Sequence, residues 1–437
     1  MNILSFASRR LSLLCPFVAC ALVHGAETQR IDMTGQVKGP DGKPVANALA
    51  IIVGAGPREG NSPLCPYNYP DCGKRAMTDS EGAFHIESLD PAMDFWLAVL
   101  APGFEPFNNS KILPEAGPVN VKLKVRDLSK VLPGGHAYGR IIGPDGQPVA
   151  GATLDIEGVQ HAESTTWGCP DTDGMVATDA DGQFEILGKK PFTAVYAVVN
   201  AHGLARRWAR LEPGKTCLLR MNKGVTVRGR LAFNGQPLKN LKVGMDSVER
   251  ECGKFFSGFR ATTDADGVFE FSDIPLNTKF SVFSILDSFQ KTGAGFRREF
   301  DSGSRNVDLG EIKAEPTYRL IGRVALGDGK PVPSGTRMLL DAWDILLVPL
   351  DADGRFDVTG VPAGQTSLYL SLNGYHFSTK NPSLDSNHRG LIGRVSGDIP
   401  DLNILLEPGS PTNYEDIDHL SYEEQKKRKD EPLRGIP

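Results

Sequence analysis

The stretch "TDADGQF", residues Thr178–Phe184, decides the fold of this chain because it is one of four similar copies. The others are "TDSEGAF" at Thr78–Phe84, "TDADGVF" at Thr263–Phe269 and "LDADGRF" at Leu350–Phe356. An aspartate followed three residues later by glycine is typical of a hairpin turn with a left-handed glycine, and the phenylalanine then begins a strand. The turn residues predicted in this way are Asp79, Gly82, Asp179, Gly182, Asp264, Gly267, Asp351 and Gly354.

A second motif precedes each hairpin. It reads "GQVKGPDGKPVANA" from Gly35, "GRIIGPDGQPVAGA" from Gly139, "GRLAFNGQPLKNL" from Gly229 and "GRVALGDGKPVPSG" from Gly322. These starts lie 90 to 104 residues apart. That period is the size of a domain, so each repeat can enclose a small core of its own.

Within a repeat, apolar residues alternate with polar ones after the hairpin, as in Phe184, Glu185 and Ile186. Such alternation indicates an antiparallel strand with one buried face. About six or seven short strands per repeat, separated by Gly and Pro turns, predict a sandwich. The expected fold is therefore all-β, a tandem array of four Greek-key-like β-sandwich domains forming a rod or an arc.

The motifs also place the boundaries of the array. We expect a signal peptide at 1–26, β-sandwich repeats at 30–127, 134–222, 224–315 and 317–408, and a flexible charged tail at 409–437.

The beginning of the chain is typical of an export signal. Arg9 and Arg10 precede the apolar run "LSLLCPFVACALV", and small residues follow near Ala26. A lipoprotein anchor at Cys20 is left open as an alternative. The sequence thus predicts an exported protein that is periplasmic, cell-surface or secreted.

Charge argues against a nucleic-acid-binding protein, and hydropathy argues against a membrane span after the leader. The formal net charge is -5, and removal of the leader with its two arginines and no acids makes it -7. Acids and bases are well mixed, so nucleic acid is not an expected partner. No stretch after the leader is long and apolar enough to predict a membrane span.

The cysteines are candidates for disulfides because export favours oxidation. Cys65 and Cys72 flank a short loop that a bridge could close, while Cys169 and Cys252 lie in comparable loops of successive repeats. Whether that second pair bonds or stays free is left open. Cys217 alternates with Leu219, so we expect a buried thiol there.

The opening G-R-(V/I), the "DG-x-P-V" turn and the "T-D-x-(D/E)-G-x-F" hairpin resemble the carboxypeptidase regulatory-like domain family, with its transthyretin-like or prealbumin-like β-sandwich. The resemblance covers four tandem copies between about Arg30 and Pro408. It departs at Asn234-Gly235 in the third copy and Ser334-Gly335 in the fourth. The resemblance implies an exported, non-catalytic module, related also to carbohydrate-binding-like folds.

The acidic hairpins could in principle hold calcium, but the residue spacing argues against it. The twelfth position counted from Asp179, where an EF-type loop needs an acid, is Lys190. Neither G-x-S-x-G nor H-E-x-x-H occurs in the chain. We therefore expect no metal, no cofactor and no enzymatic activity.

The variable loops before each hairpin are the best candidates for function, because aromatic side chains in constrained loops can anchor a ligand. The candidate binding residues are Tyr67, Tyr69, Trp167, Phe255 and Phe256. The alternative is that these side chains pack between neighbouring repeats. The expected function is a non-enzymatic scaffold or binding protein, or alternatively a glycan-binding accessory protein. Its partner would be a protein or glycan of the cell envelope, and its oligomeric state is open.

Overall fold

The described residues form an all-β fold of strands joined by turns, with very little helix, as the sequence predicts. The structure, a computed structural model, describes residues 30–60, 62, 64, 66, 69–162, 164–169, 171–249, 256–385, 388–409, 427 and 429–436. The expected signal peptide at 1–26 lies outside the described residues.

The described residues form four successive units, and the first strand of each contains one copy of the opening glycine. Unit 1 contains β1 (Ile31–Lys38), β2 (Leu49–Pro57), β3 (Arg75–Met77), β4 (Ala83–Leu89), β5 (Met93–Leu100), β6 (Phe107–Ile112) and β7 (Val119–Lys122). Unit 2 contains β8 (His136–Ile142), β9 (Thr153–Gln160), β10 (Thr165–Trp167), β11 (Met175–Ala177), β12 (Gln183–Leu187), β13 (Ala194–Ala201), β14 (Leu204–Leu211) and β15 (Thr216–Arg220).

The last two units follow the same plan. Unit 3 contains β16 (Val225–Phe233), β17 (Gln236–Pro237), β18 (Lys242–Ser247), β19 (Phe259–Thr262), β20 (Val268–Ile274), β21 (Lys279–Ser284), β22 (Ala294–Gly295), β23 (Arg297–Asp301), β24 (Val307–Lys313) and β25 (Glu315–Pro316). Unit 4 contains β26 (Tyr318–Leu326), β27 (Arg337–Asp341), β28 (Ile345–Pro349), β29 (Arg355–Val361), β30 (Gly364–Tyr369), β31 (Tyr375–Phe377), β32 (Gly390–Val395) and β33 (Ile399–Pro408). Short helical turns occur at Pro114–Ala116 and Leu128–Lys130, and the helix α1 spans Leu286–Phe289.

Each unit is a sandwich of two sheets. In the first sheet the opening strand lies between the strand after the acidic hairpin, which is antiparallel to it, and the closing strand, which is parallel to it. The second sheets run in the orders β3-β2-β5-β6, β10-β9-β13-β14, β19-β18-β21-β23 and β28-β27-β30-β32. Every unit has its own apolar core between the two sheets. The tandem sandwich architecture is thereby confirmed.

The two sequence motifs meet across one strand pair. The opening glycine of each unit pairs with the phenylalanine that ends the hairpin motif, as Gly229 does with Phe269. A Cβ on Gly229 would lie 2.7 Å from the Phe269 ring. The glycine is required because the aromatic ring lies across its backbone.

Consecutive units are joined by apolar side chains that leave one unit and enter the next. Ile51 of unit 1 packs with Met175 of unit 2. Trp208 of unit 2 belongs to the core of unit 3, and Leu286 of unit 3 belongs to the core of unit 4. Burial of such side chains between units fixes their relative orientation.

The fourth unit also contacts the first. Leu339 on β27 is 6% exposed and lies in the core of unit 1, where Leu347 and Tyr369 pack against it. The backbones approach closely, since a Cβ on Gly335 would lie 2.6 Å from the carbonyl oxygen of Glu59. The array therefore closes into a ring, which differs from the expected rod or arc.

The end of the chain also differs from the expected flexible tail, as far as it is described. Leu433 is 3% exposed and belongs to the core of unit 4. Its amide donates to the carbonyl of Arg394, and the amide of Ile436 donates to the carbonyl of Asn403. Composition favoured a solvated tail, but one apolar side chain and unpaired strand-edge groups hold these residues on unit 4.

Candidate functional site

The first aspartate of each acidic hairpin accepts hydrogen bonds from backbone amides of its own turn. Asp264 Oδ1 accepts from the amides of Asp266 and Val268 at 2.9 and 2.8 Å, and the corresponding aspartates of the other units do the same. The turn glycines have φ between 73° and 78°. Among the described residues, no group of three or more His, Cys, Asp or Glu side chains is placed to hold a metal ion.

The aromatic candidates have different surroundings. Tyr69 is 4% exposed and lies in the core of unit 1, and burial raises the pKa of its hydroxyl. Phe256 is 5% exposed, and its ring centre lies 6.0 Å from that of Trp208 in unit 2. Both side chains therefore pack inside or between units. Trp167 is 48% exposed. Tyr67 and Phe255 lie outside the described residues.

The structure does not test the two cysteine pairings, because one member of each pair lies outside the described residues. The thiol of Cys72 donates to the carbonyl of Pro66 at 3.3 Å, and its expected partner Cys65 lies outside the described residues. Cys169 has a free thiol whose pKa is raised by burial, and Cys252 is also outside the described residues. Cys217 packs against the core of unit 2, where burial raises its pKa.

The second sheets of all units surround a central cavity of about 2260 Å³. Trp96 of unit 1, Glu157 of unit 2, Phe283 of unit 3 and Trp343 of unit 4 line it. The cavity exists only because the ring closes, so no single repeat contains it.

Charged groups from different units converge on this cavity. Burial raises the pKa of Asp344 to about 6, and the Asp246 carboxylate of unit 3 contributes while Arg260 opposes the shift. The Asp344 Oδ2 accepts from the amide of Leu286 at 3.1 Å and so links units 4 and 3. Burial likewise raises the pKa of Asp246 and that of Asp341, and both residues line the cavity.

Unit 2 carries a row of residues across its second sheet whose two ends, Trp167 and Arg210, are exposed. The cross-strand register aligns Trp167 on β10, Gly158 on β9, Tyr196 on β13 and Arg210 on β14, and we call these four residues the aromatic row. A Cβ on Gly158 would lie 2.8 Å from the Trp167 ring. The Trp167 and Tyr196 ring centres are 5.8 Å apart with an angle of 39° between the planes.

Polar groups fix the edge of the aromatic row. Gln160 Oε1 accepts from the Tyr196 hydroxyl at 3.2 Å and from Arg210 Nη2 at 3.3 Å. Glu212 accepts from both Arg210 and Lys215. The side chains around the two aromatic rings are thus held in one arrangement.

Sequence reasoning found Trp167 but not the rest of the row. The alternation in β13 could have placed Tyr196 on the face opposite Val195, whereas Arg210 lies on β14, a strand that the motifs do not predict. Which residues stand side by side depends on strand register, however, and neither the β9 bulge beside Tyr196 nor the pairing of β10 is visible in the sequence.

The helices of the described residues are all too short or too polar to cross a membrane.

Comparisons with known proteins are uninformative about function. No protein-family model matches this sequence, and no curated protein matches it. The chain is similar to the TIE protein of Bacillus anthracis, with a TM-score of 0.19 and 13% identity over 86% of this chain and 73% of that chain. It is similar to a Streptococcal ancillary pilin with a TM-score of 0.24 and 11% identity over 65% of this chain and 99% of that chain. For GBS52, the minor pilin of Streptococcus agalactiae, the TM-score is 0.22 and the identity 13%, over 44% and 98% of the two chains. Similarity at this level indicates nothing about the function of this chain.

Proposed function

We propose that this protein is an exported, non-enzymatic binding scaffold of the cell surface or periplasm. The observation that supports this most strongly is the closed ring, in which each unit buries side chains of a neighbour. A ring held in this way presents its outer faces and its cavity in one fixed arrangement. Preorganisation of that kind reduces the entropy cost of binding a partner.

The absence of enzymatic activity is part of the proposal. The hairpin aspartates are occupied as acceptors for backbone amides, and Asp344 accepts from Leu286 across a unit interface. Carboxylates used in this way stabilise turns and contacts rather than react with a substrate.

We infer that each unit is a domain of the carboxypeptidase regulatory-like family. The separate cores, and the opening glycine under the hairpin phenylalanine, support this inference. The proposed domain boundaries are 30–127, 134–222, 224–315 and 317–408. Export rests on the leader at 1–26, with lipidation of Cys20 as the alternative. Mass spectrometry of the mature N-terminus distinguishes the two.

The test of the scaffold proposal is a pull-down from the envelope of the exporting cell, with the chain lacking residues 1–26 as bait. The expected result is one protein complex that is lost when Leu339→Asp opens the ring, while the matched surface variant Leu218→Ala retains it. Hydrolysis of peptide or glycan substrates by the purified protein, abolished by Asp344→Asn, would show that it is an enzyme instead.

Glycan binding is the second candidate function, and one observation favours it. Of the three candidate aromatic side chains that the structure describes, Trp167 is the one that is substantially exposed, at 48%. An exposed indole ring offers a flat apolar face for stacking. This restricts the candidate glycan site to unit 2.

A further inference from the structure

We propose that the aromatic row of unit 2 binds a pyranose ring of a glycan. The sugar would stack on Trp167 and Tyr196, and its hydroxyl groups would bond to Gln160 and Arg210. This inference rests on the second candidate function and gives it a defined site, a ligand class and three residues that the aromatic loops did not indicate.

The two aromatic rings are arranged before any ligand arrives. Gly158 has no side chain, so the Trp167 ring lies over its backbone, and the Tyr196 ring lies 5.8 Å away on the other side of the same strand. Because packing fixes the Trp167 ring, stacking costs little additional side-chain entropy. Aromatic faces interact favourably with the apolar face of a partner.

The polar edge of the row has unused hydrogen-bond donors. Gln160 Oε1 is occupied by Tyr196 and Arg210, which orients the Gln160 amide with its nitrogen away from them. Within the described part of the chain, neither N–H of that nitrogen has an acceptor, so both can donate to a ligand. A sugar offers the matching pattern, with C–H groups on its face and hydroxyl oxygens on its edge.

One part of this sheet face is covered by unit 3 and another part is open, and the difference indicates which kind of ligand the aromatic row can bind. Trp208 of β14 projects from this face, is 6% exposed and lies in the core of unit 3. At the β14 end of the aromatic row, Tyr196 instead stands beside charged side chains, since its cross-strand partner Arg210 pairs with Glu212, as does Lys215. Two cations against one anion favour a ligand with a carboxylate, and a polar border of this kind suits a hydroxylated ligand better than an apolar protein surface.

The experiment uses the mature chain with soluble malto-, cello-, chito- and galacturono-oligosaccharides, and measures binding by calorimetry and tryptophan fluorescence. At least one series is expected to bind, with the acidic galacturonides tightest. Trp167→Ala should weaken binding roughly tenfold or more. Gly158→Val should weaken it similarly although both aromatic rings remain, because its Cβ displaces the Trp167 ring. Leu218→Ala, at an exposed position on the other sheet of unit 2, should leave binding unchanged.

The possible failures are distinguishable. If none of the oligosaccharides binds to the wild-type chain, both the site and the glycan-binding function are wrong. If binding persists in Trp167→Ala and Gly158→Val, glycan binding stands and this site is wrong. If Trp167→Ala abolishes capture of a protein while no glycan binds, the row is a protein interface and the inference is overturned. Thermal unfolding of each variant verifies that it is folded.

Discussion

The two sheets of each unit differ in how their strands are buried. In the first sheets one face is wet, and burial alternates along β4, β12, β20 and β29. In the second sheets both faces are covered over long stretches, as in β2 and β27, where successive residues are buried. The first sheets therefore close each unit, and the second sheets also join the units together.

The difference follows from which neighbours each face meets. On β27, Met338 and Leu340 enter the core of unit 4, whereas Leu339 between them enters the core of unit 1. On β2, Ala50 and Ile52 enter the core of unit 1, whereas Ile51 packs against unit 2. Continuous apolar runs are typical of strands buried on both faces. In this chain they mark the contacts that form the ring.

The largest effect is expected from Leu339, because it is the buried contact that closes the ring. Leu339→Ala should lower the free energy of unfolding by about 2–5 kcal/mol, and Leu339→Asp should open the contact between units 1 and 4. The radius of gyration from small-angle scattering should then increase. Leu218→Ala in a first sheet, where the side chain is 63% exposed, should change stability by at most about 0.5 kcal/mol. An unchanged radius of gyration for Leu339→Asp would refute the role of this contact.

Acidification should stabilise the folded chain through Asp344, which lies where units 3 and 4 meet. The pKa of Asp344 is raised to about 6 by burial, so the folded chain binds this proton more tightly than the unfolded chain does. The cost of burying the charged carboxylate is fully present above pH 6 and disappears as the pH falls towards 3.8, the ordinary pKa of an aspartate. Stability should rise by up to about 3 kcal/mol between pH 7 and pH 4.

The charges that face Asp344 are Arg260 and Asp246. Asp344→Asn keeps an oxygen that can accept from Leu286, so it should raise stability at pH 7 and flatten the pH dependence. Chemical denaturation at several pH values measures both effects. An equally steep pH dependence in Asp344→Asn would assign the titration to another group.

A smaller loss of stability is expected when glycines in turns are replaced by alanine. Two glycines of unit 3 have the same backbone conformation but should differ in the size of that loss. Gly235 and Gly267 have φ of 77° and 78°, but a Cβ on Gly267 would lie 2.5 Å from the Leu231 carbonyl oxygen, whereas none of the described atoms lies within 4 Å of one on Gly235. Gly235→Ala should cost about 1 kcal/mol, the conformational penalty alone. Gly267→Ala should cost more, and equal losses in denaturation would contradict the steric argument.

The smallest effect is expected at the hairpin carboxylates. Asp264→Ala removes the acceptor of two backbone amides and should cost about 1 kcal/mol. The exposed Asp266 of the same turn is the control, and Asp266→Ala should be nearly neutral. Added calcium should not change either result, because these carboxylates bind amides. A rise in the unfolding temperature on addition of calcium that is lost in Asp264→Ala would show that the hairpin binds calcium after all.

Much of each unit could be predicted from the repeated motifs, since turn chemistry and alternation act over a few neighbouring residues. The opening strand, the strand after each hairpin and the paired apolar faces all follow from local rules. The candidate site could be predicted only in part. Trp167 was identifiable as an aromatic residue in a loop, but Tyr69 and Phe256 were equally plausible until the structure showed them buried.

The sequence by itself determined the repeated β-sandwich, because Asp–Gly turns and period-two strands specify it residue by residue. Only the tertiary structure decided which apolar face meets another unit, that unit 4 returns to unit 1, and that Trp167, Gly158, Tyr196 and Arg210 stand in one row. The physical reason is that hydrophobic contact has no direction and no sequence range. In the sequence, Leu339 cannot be distinguished from any other core leucine. Its partners in unit 1 lie some three hundred residues earlier in the chain, and only folding places them in contact with it.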